Sequence, residues 1–275
     1  LGASLELYDQ LGDRRRWTEV VCGLSTMAHY LGRFEERVGM GAQVWERGKD
    51  GRDVQAQAWG LLDQAETLVR MGRFDHALAL LEKAIGYEAL GLPPVDRLWA
   101  HGLLAATCLS LGDVQRARRE ADETLDLTNV VPPNMFYVME GYAGATETFL
   151  ALWEAQRGAR GALDLRAKSR AMLRQMLVLS ISVLAGRPRR SLCAGVAAWL
   201  DGRPRAAHRA WKSALSSAER LGMPYEEARA HAEIALHLPA GDAARRVHFE
   251  RARASFERVG AAWDLRRLSA ARSGS

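Results

Sequence analysis

A glycine turn recurs along this chain at a fixed period, and that period constrains the fold more than any other feature. Leu31-Gly32-Arg33-Phe34, Met71-Gly72-Arg73-Phe74 and Leu111-Gly112-Asp113-Val114 stand at intervals of 40 and 40 residues, and Arg157-Gly158 and Asp201-Gly202 follow at 46 and 44. Spacing of this length marks one supersecondary unit copied along the sequence. The clearest copy spans residues 60–85: an amphipathic helix, a tight turn at Met71-Gly72-Arg73, and a second amphipathic helix carrying Ala77 and Ala84. Neither helix buries its apolar stripe alone, so the unit has to stack on its neighbours. Compact residues recur at fixed offsets from the turn glycines: Ser25, Ala65, Ala105 and Gly195 seven before, Ala77, Ala117 and Ala207 five after, Val44, Ala84, Thr124 and Ala214 twelve after. At those positions helices within a pair, and successive pairs, approach closely.

The rest of the chain agrees with an all-α fold. Its eight prolines, Pro93, Pro94, Pro132, Pro133, Pro188, Pro204, Pro224 and Pro239, fall where helices should begin or end. Between them Ala, Leu, Arg and Glu dominate, all strong helix formers. No segment alternates apolar and polar residues long enough for a strand. With 275 residues and 48% hydrophobic content, the chain is large enough for a substantial core. Cys22, Cys108 and Cys193 lie far apart inside helical patterns, as small buried residues do in a reducing compartment. No apolar run approaches the roughly 20 residues of a membrane span, and no basic-then-apolar leader opens the chain, so a cytoplasmic location is expected. Residues 1–11 read as the second helix of a hairpin whose first is missing, and there is no initiator Met, which suggests a segment of a longer protein.

These offsets resemble the tetratricopeptide repeat (TPR), with its small residue in the first helix, Gly and an aromatic at the turn, and Ala twice in the second helix. The match is good at residues 60–85 and 99–126, and weaker at 19–45, where Arg37 stands for the expected Ala and Gly41 for a bulky residue. Two long helices, 134–156 and 163–185, interrupt the register. It returns at 188–218, with Trp211 in the bulky position, and a final pair at 224–259 is closed by 261–267. The fold expected is a right-handed TPR-like α-solenoid of about six hairpins with a period near 40 residues. The divisions expected are repeats at 1–131 starting mid-repeat, an atypical long-helix hairpin at 132–186, further repeats and a capping helix at 187–270, and a disordered tail at 271–275. The stretches 218–231, 237–242 and 250–263 also resemble the C-terminal ends of large bacterial signalling ATPases, in which a nucleoside-cyclase, protein-kinase or DNA-binding module precedes a P-loop ATPase and a helical-repeat tail. That resemblance implies a scaffold or sensor module coupled to a signalling head.

The residues offer no catalytic constellation. G-x-x-x-x-G-K-[ST] and G-x-S-x-G are both absent, and the two glycines of Val38-Gly39-Met40-Gly41 lack both the third glycine of a dinucleotide fingerprint and a preceding strand. Of the seven histidines, none pairs with another at the i, i+4 spacing of a zinc helix. Cys22 and His29, seven apart on one helix, stand about 10 Å apart along its axis, too far to pair. Acids within three or four residues of arginines, as in Arg116 with Glu120 and Arg119 with Glu123, read as a solvated face. No enzyme, cofactor or metal is expected.

Two features rise above this background. Trp59 and Trp99, one repeat apart, fall at the same place near the start of a first helix, the helix that lines the concave face of a solenoid. With Asp63, Glu66 and Arg70, and with Thr26, His29 and Tyr30 on the neighbouring helix, they form a candidate groove of aromatic anchors and polar groups. The alternative is that both tryptophans fill the seam between hairpins. The second feature is charge. From Arg157 to Arg220, fourteen Lys and Arg face only Asp164, Asp201 and Glu219, an excess of eleven positive charges in a chain of net +5. Arg187, Arg189, Arg190, Arg203, Arg205 and Arg209 are its candidate basic surface. The partner expected is a protein or peptide held in the groove. The alternatives are a small-molecule inducer or self-association; nucleic acid and membrane are not expected, and the oligomeric state is open.

Overall fold

The molecule is a stack of helical hairpins bent into a ring. The computed structural model describes residues 2–159 and 161–273, which form fourteen α-helices and two 3-10 helices, with no strand among the described residues. The helices are α1 (Gly2–Gln10), α2 (Arg14–Tyr30), α3 (Phe34–Gly51), α4 (Val54–Met71), α5 (Phe74–Ile85), α6 (Pro94–Ser110), α7 (Val114–Leu127), α8 (Met139–Ala155), α9 (Ala162–Ser182), α10 (Gly186–Leu200), α11 (Pro204–Leu221), α12 (Pro224–His237), α13 (Ala243–Val259) and α14 (Ala262–Ser273). From α2 onward they pair in order, α2 with α3 through α12 with α13, and α14 caps the last pair. This is an α-solenoid, and α2, α4 and α6, the first three first helices, begin at Arg14, Val54 and Pro94, 40 residues apart as the turn glycines are.

Local chemistry sets these limits. The turn glycines 32, 72, 112, 158 and 202 have φ between 72° and 87°, a left-handed conformation that ends a helix at no steric cost only for glycine. Asp13, Asp53 and Asp113 each cap the next helix by accepting from a backbone N–H. At the seams the compact residues behave as their spacing predicts: Ser25, Ala65, Ala105, Ala77, Ala117, Ala207, Val44, Ala84, Thr124 and Ala214 are all buried. Where α6 crosses α8 the backbones nearly touch, since a Cβ on Gly102 would lie 1.9 Å from the Gly141 carbonyl oxygen.

In the long-helix segment α8 packs against α9. Residues 136–138 form a 3-10 turn, so α8 starts at Met139 rather than at 134. The turn carries Phe136 and Tyr137 back onto the first hairpins. One apolar core runs from Trp17 to Leu200, a second links α10, α11 and α12 around Trp211, and a third joins the two ends of the chain. In that third core Phe34 meets Tyr225 edge-on with ring centres 5.9 Å apart, and Phe74 meets Trp263 at 5.1 Å. Gly72 sits so close to Trp263 that a Cβ would fall 2.6 Å from it. The solenoid therefore curls until α12–α14 lie against α2–α5. α14 continues through Ser273, and residues 274–275 of the tail expected at 271–275 lie outside the described residues. None of the helices among the described residues is long and apolar enough to cross a membrane.

Candidate functional site

Ring closure turns the concave face into an interior. A chain of ion pairs crosses it from α3 to α12. Arg37 donates through Nη1 to Glu66 and through Nη2 to Asp63, 2.6 Å each. Trp99 Nε1 donates to the other Glu66 oxygen at 2.7 Å. His29 Nε2 stands 3.3 Å from Glu66 and 3.7 Å from Glu140. Arg70 pairs with Glu140 and donates to the Tyr225 hydroxyl, which in turn donates to Asp264 at 2.9 Å. Arg189 holds Glu226 and Glu147, and Arg229 holds Glu147 at 2.9 Å.

Burial and mutual charge set the protonation states. Burial pulls the His29 imidazole well below its ordinary value, and Arg37, Arg70 and Arg189 add to that, so the ring is neutral. Burial pushes Glu147 up, but Arg229 and Arg189 more than reverse it and hold its carboxyl far below the usual range. The carboxyl of the half-buried Glu233 is raised by desolvation, which His237 and Arg229 only partly offset. Such a network is stable only while every member keeps its partners.

Two cavities open into this interior. The larger, about 390 Å³, takes its wall from both ends of the solenoid: Glu66 and Arg70 of α4, Leu103 of α6, Glu140 and Glu147 of α8, then Trp199, Arg229, Glu233 and Arg267 of α10, α12 and α14. The smaller, about 270 Å³, is bounded by Glu19, Cys22, Thr26, Trp59, Asp63, Trp99, Phe136 and Tyr137.

The groove residues expected from sequence are thus brought together, but not on an open surface. Trp59, Asp63, Trp99 and Thr26 line the smaller cavity, and Glu66 and Arg70 the larger. His29 is packed between Glu66 and Glu140, while the Tyr30 hydroxyl donates to the Phe136 carbonyl at 3.5 Å. All but the half-buried Tyr30 are buried, because α12–α14 and the 136–138 turn cover the face that a simple solenoid leaves exposed. Sequence reasoning missed Glu140, Glu147, Tyr225, Glu226 and Arg229. Glu140 and Glu147, two turns apart on a largely apolar first helix, were the available signal.

The basic surface divides. Arg187, Arg203, Arg205 and Arg209 are exposed and Arg190 is half-buried. Arg189 corrects the expectation: it is 1% exposed, since its face of α10 looks inward, where Glu226 and Glu147 neutralise it. Part of the surrounding charge is also spent locally, because Asp201 accepts from Arg166, Arg170 and Arg203. Away from the ring interior, Glu219, Glu227 and His231 place one ligand atom each within 4.8 Å of one another, beside positive charge from Arg251.

No family model matches the chain, and no curated protein does. Among solved structures it is similar to a thermophilic TPR protein of Thermus thermophilus, at 21% identity and a TM-score of 0.48 over 78% of this chain and 98% of that one.

Proposed function

We propose that this chain is a non-catalytic sensor module in which a small polar molecule occupies the central cavity and sets how firmly the last hairpin closes on the first ones. The observation that carries this is the origin of the cavity wall, Glu66 and Arg70 coming from α4 but Arg229, Glu233 and Arg267 from α12 and α14. Its volume of about 390 Å³ lies within the range of small-molecule sites. A molecule touching both ends binds the closed ring better than an opened one, and that difference in affinity is what shifts a conformational equilibrium. In the parent protein that the resemblance to signalling ATPases implies, the closed ring would bias the position of the attached head. The test is a melting-temperature screen against a metabolite library, because a ligand that binds only the native state stabilises it by mass action. A hit whose shift disappears in Glu233→Gln supports the reading. A broad library with no shift, or hits indifferent to the cavity variant, sinks it.

A protein partner is the second reading, supported by a stripe on the outside of the ring rather than by the groove. Leu177, Val178 and Ile181 share one face of α9, and they and Leu184 just beyond the helix are all exposed. Ile181→Glu should abolish a complex formed through this stripe and leave cavity binding intact. A complex that survives the change places the partner elsewhere. Self-association through the same stripe would appear as an oligomer in light scattering, and the same variant should dissolve it.

A further inference from the structure

The smaller cavity has a chemistry of its own. Trp59, Trp99, Tyr137 and Phe136 stand around it as a box, with ring centres 5.9 Å apart for Tyr137 and Trp59, 5.6 Å for Tyr137 and Trp99, and 5.6 Å for Phe136 and Tyr137. The indole nitrogens of both tryptophans are already engaged. Trp59 Nε1 donates to Asp96 at 2.8 Å and Trp99 Nε1 donates to Glu66 at 2.7 Å. The cavity therefore meets ring carbon. Each engaged donor rests on a carboxylate, which pushes electron density into its ring and strengthens the ring's attraction for a cation.

A buried carboxylate stands at the wall of the box. Asp63 lines the cavity and is 1% exposed; Arg37 takes its Oδ1, and its Oδ2 has no hydrogen-bond partner. A buried carboxylate oxygen left without a donor is costly, and the field of that carboxylate favours a cation in the cavity beside it. The charge around the box is acidic: Asp63, Asp96, Glu66 and the exposed Glu19 stand against Arg37 and Arg15. Arg37 is spent on Asp63 and Glu66, and Arg15 pairs with Glu19 while its guanidinium lies 4.7 Å from the Trp59 ring centre. The chain thus already sets one of its own cations on that indole.

The cavity offers few hydrogen-bond acceptors. A primary ammonium or a guanidinium would leave several N–H groups unpaired there, whereas a fully alkylated ammonium needs none. We infer that this cavity binds a small organic cation carrying an alkylated ammonium group, seated among the four aromatic rings with its charge facing Asp63. The inference concerns a different cavity and a different ligand from the sensor reading, so either can fail alone.

Titration of the whole chain with tetramethylammonium and with choline, followed by tryptophan fluorescence and calorimetry, tests it. The decisive control is the neutral carbon isostere of choline, with a tert-butyl group in place of trimethylammonium. Both cations should bind saturably, about tenfold or more tighter than the isostere. Glu19→Gln, an exposed change at the rim, should weaken them about twofold without altering the melting temperature. Asp63→Asn should weaken them about tenfold; because it also disturbs Arg37, the isostere comparison stands as the measurement that needs no variant. Equal binding of the isostere would show a plain apolar void and overturn the inference, as would no saturable binding of either cation. A peptide bearing trimethyl-lysine that binds where both free cations fail would overturn the small-molecule assignment.

Discussion

Arg37 Nη1 lies 2.6 Å from Glu66 Oε1, with both side chains almost wholly withdrawn from solvent. Arg37 occupies the place where the repeat pattern has alanine, and its second nitrogen holds Asp63 equally closely. Restoring the pattern should therefore be harmful. Arg37→Ala strands two buried carboxylates and should cost about 3–5 kcal/mol in urea denaturation. Arg37→Met combined with Asp63→Asn and Glu66→Gln removes the charges together and should recover most of that loss. A single variant that costs less than about 1 kcal/mol would mean that the carboxylates find other partners.

The same residue shows what the sequence made legible. Periodicity fixes local geometry, so the turn glycines and the buried alanines could be read from spacing. Ring closure could not. It depends on Phe34 meeting Tyr225, 191 residues away in the sequence, and on Phe74 meeting Trp263, and no local pattern encodes which distant faces match. Hence Arg189 reads as surface charge when its neighbours alone are considered, although Glu226 and Glu147 bury it. The departures from the repeat were the better guide, since Arg37 and Gly41 mark the helix that approaches α4 most intimately and anchors the charged interior.

Glycines at two sites should respond in opposite directions to the same change. A Cβ at Gly195 would lie 2.2 Å from the Trp211 indole nitrogen, and that indole is fully buried. Gly195→Ala should cost about 1–3 kcal/mol through overpacking. Gly86 has φ −54° and nothing within 4 Å of the built Cβ. Gly86→Ala should stabilise by about 0.4–1 kcal/mol through lower entropy of the unfolded chain. Thermal melts of the two variants beside the parent chain check both signs.

Histidines should give the protein a stability maximum in pH. Burial lowers the His101 affinity for a proton, but its hydrogen bond to Glu120 and the charge of Glu88 more than reverse this, and its pKa is raised. Its contribution is complete below the unfolded value of about 6.5 and is lost as pH rises through the folded value. His231 is the opposite case. Burial, with His248 and Arg251, pulls it down to about 4. Its folded form resists protonation, so stability is full above about 6.5 and falls as pH drops toward 4, by on the order of 3 kcal/mol. Denaturation against pH should show both limbs. His101→Gln should flatten the alkaline side, and His231→Gln should shrink the acid side without removing it, since His29 and Glu147 contribute there too; a limb unchanged in its variant belongs to another group.

Closure of the ring should depend on Trp263 more than on any residue of the continuous core. This half-buried indole packs edge-to-face on Phe74 and covers Gly72, a turn whose lack of a side chain makes room for it. Trp263→Ala removes the aromatic contact and the apolar area together, about 2 kcal/mol for a side chain only partly covered. The loss falls on one contact between the ends, so the hairpins between them should stay folded while α12–α14 loosen. Amide exchange should therefore accelerate in α12–α14 and at the α4–α5 turn, with α6 and α8 still protected. The radius of gyration in solution scattering should rise. Unchanged exchange in α12–α14 would mean that Tyr225, held by Arg70 and Asp264, closes the ring without the tryptophan. Tyr225→Phe in the Trp263→Ala background would then be the change that opens it.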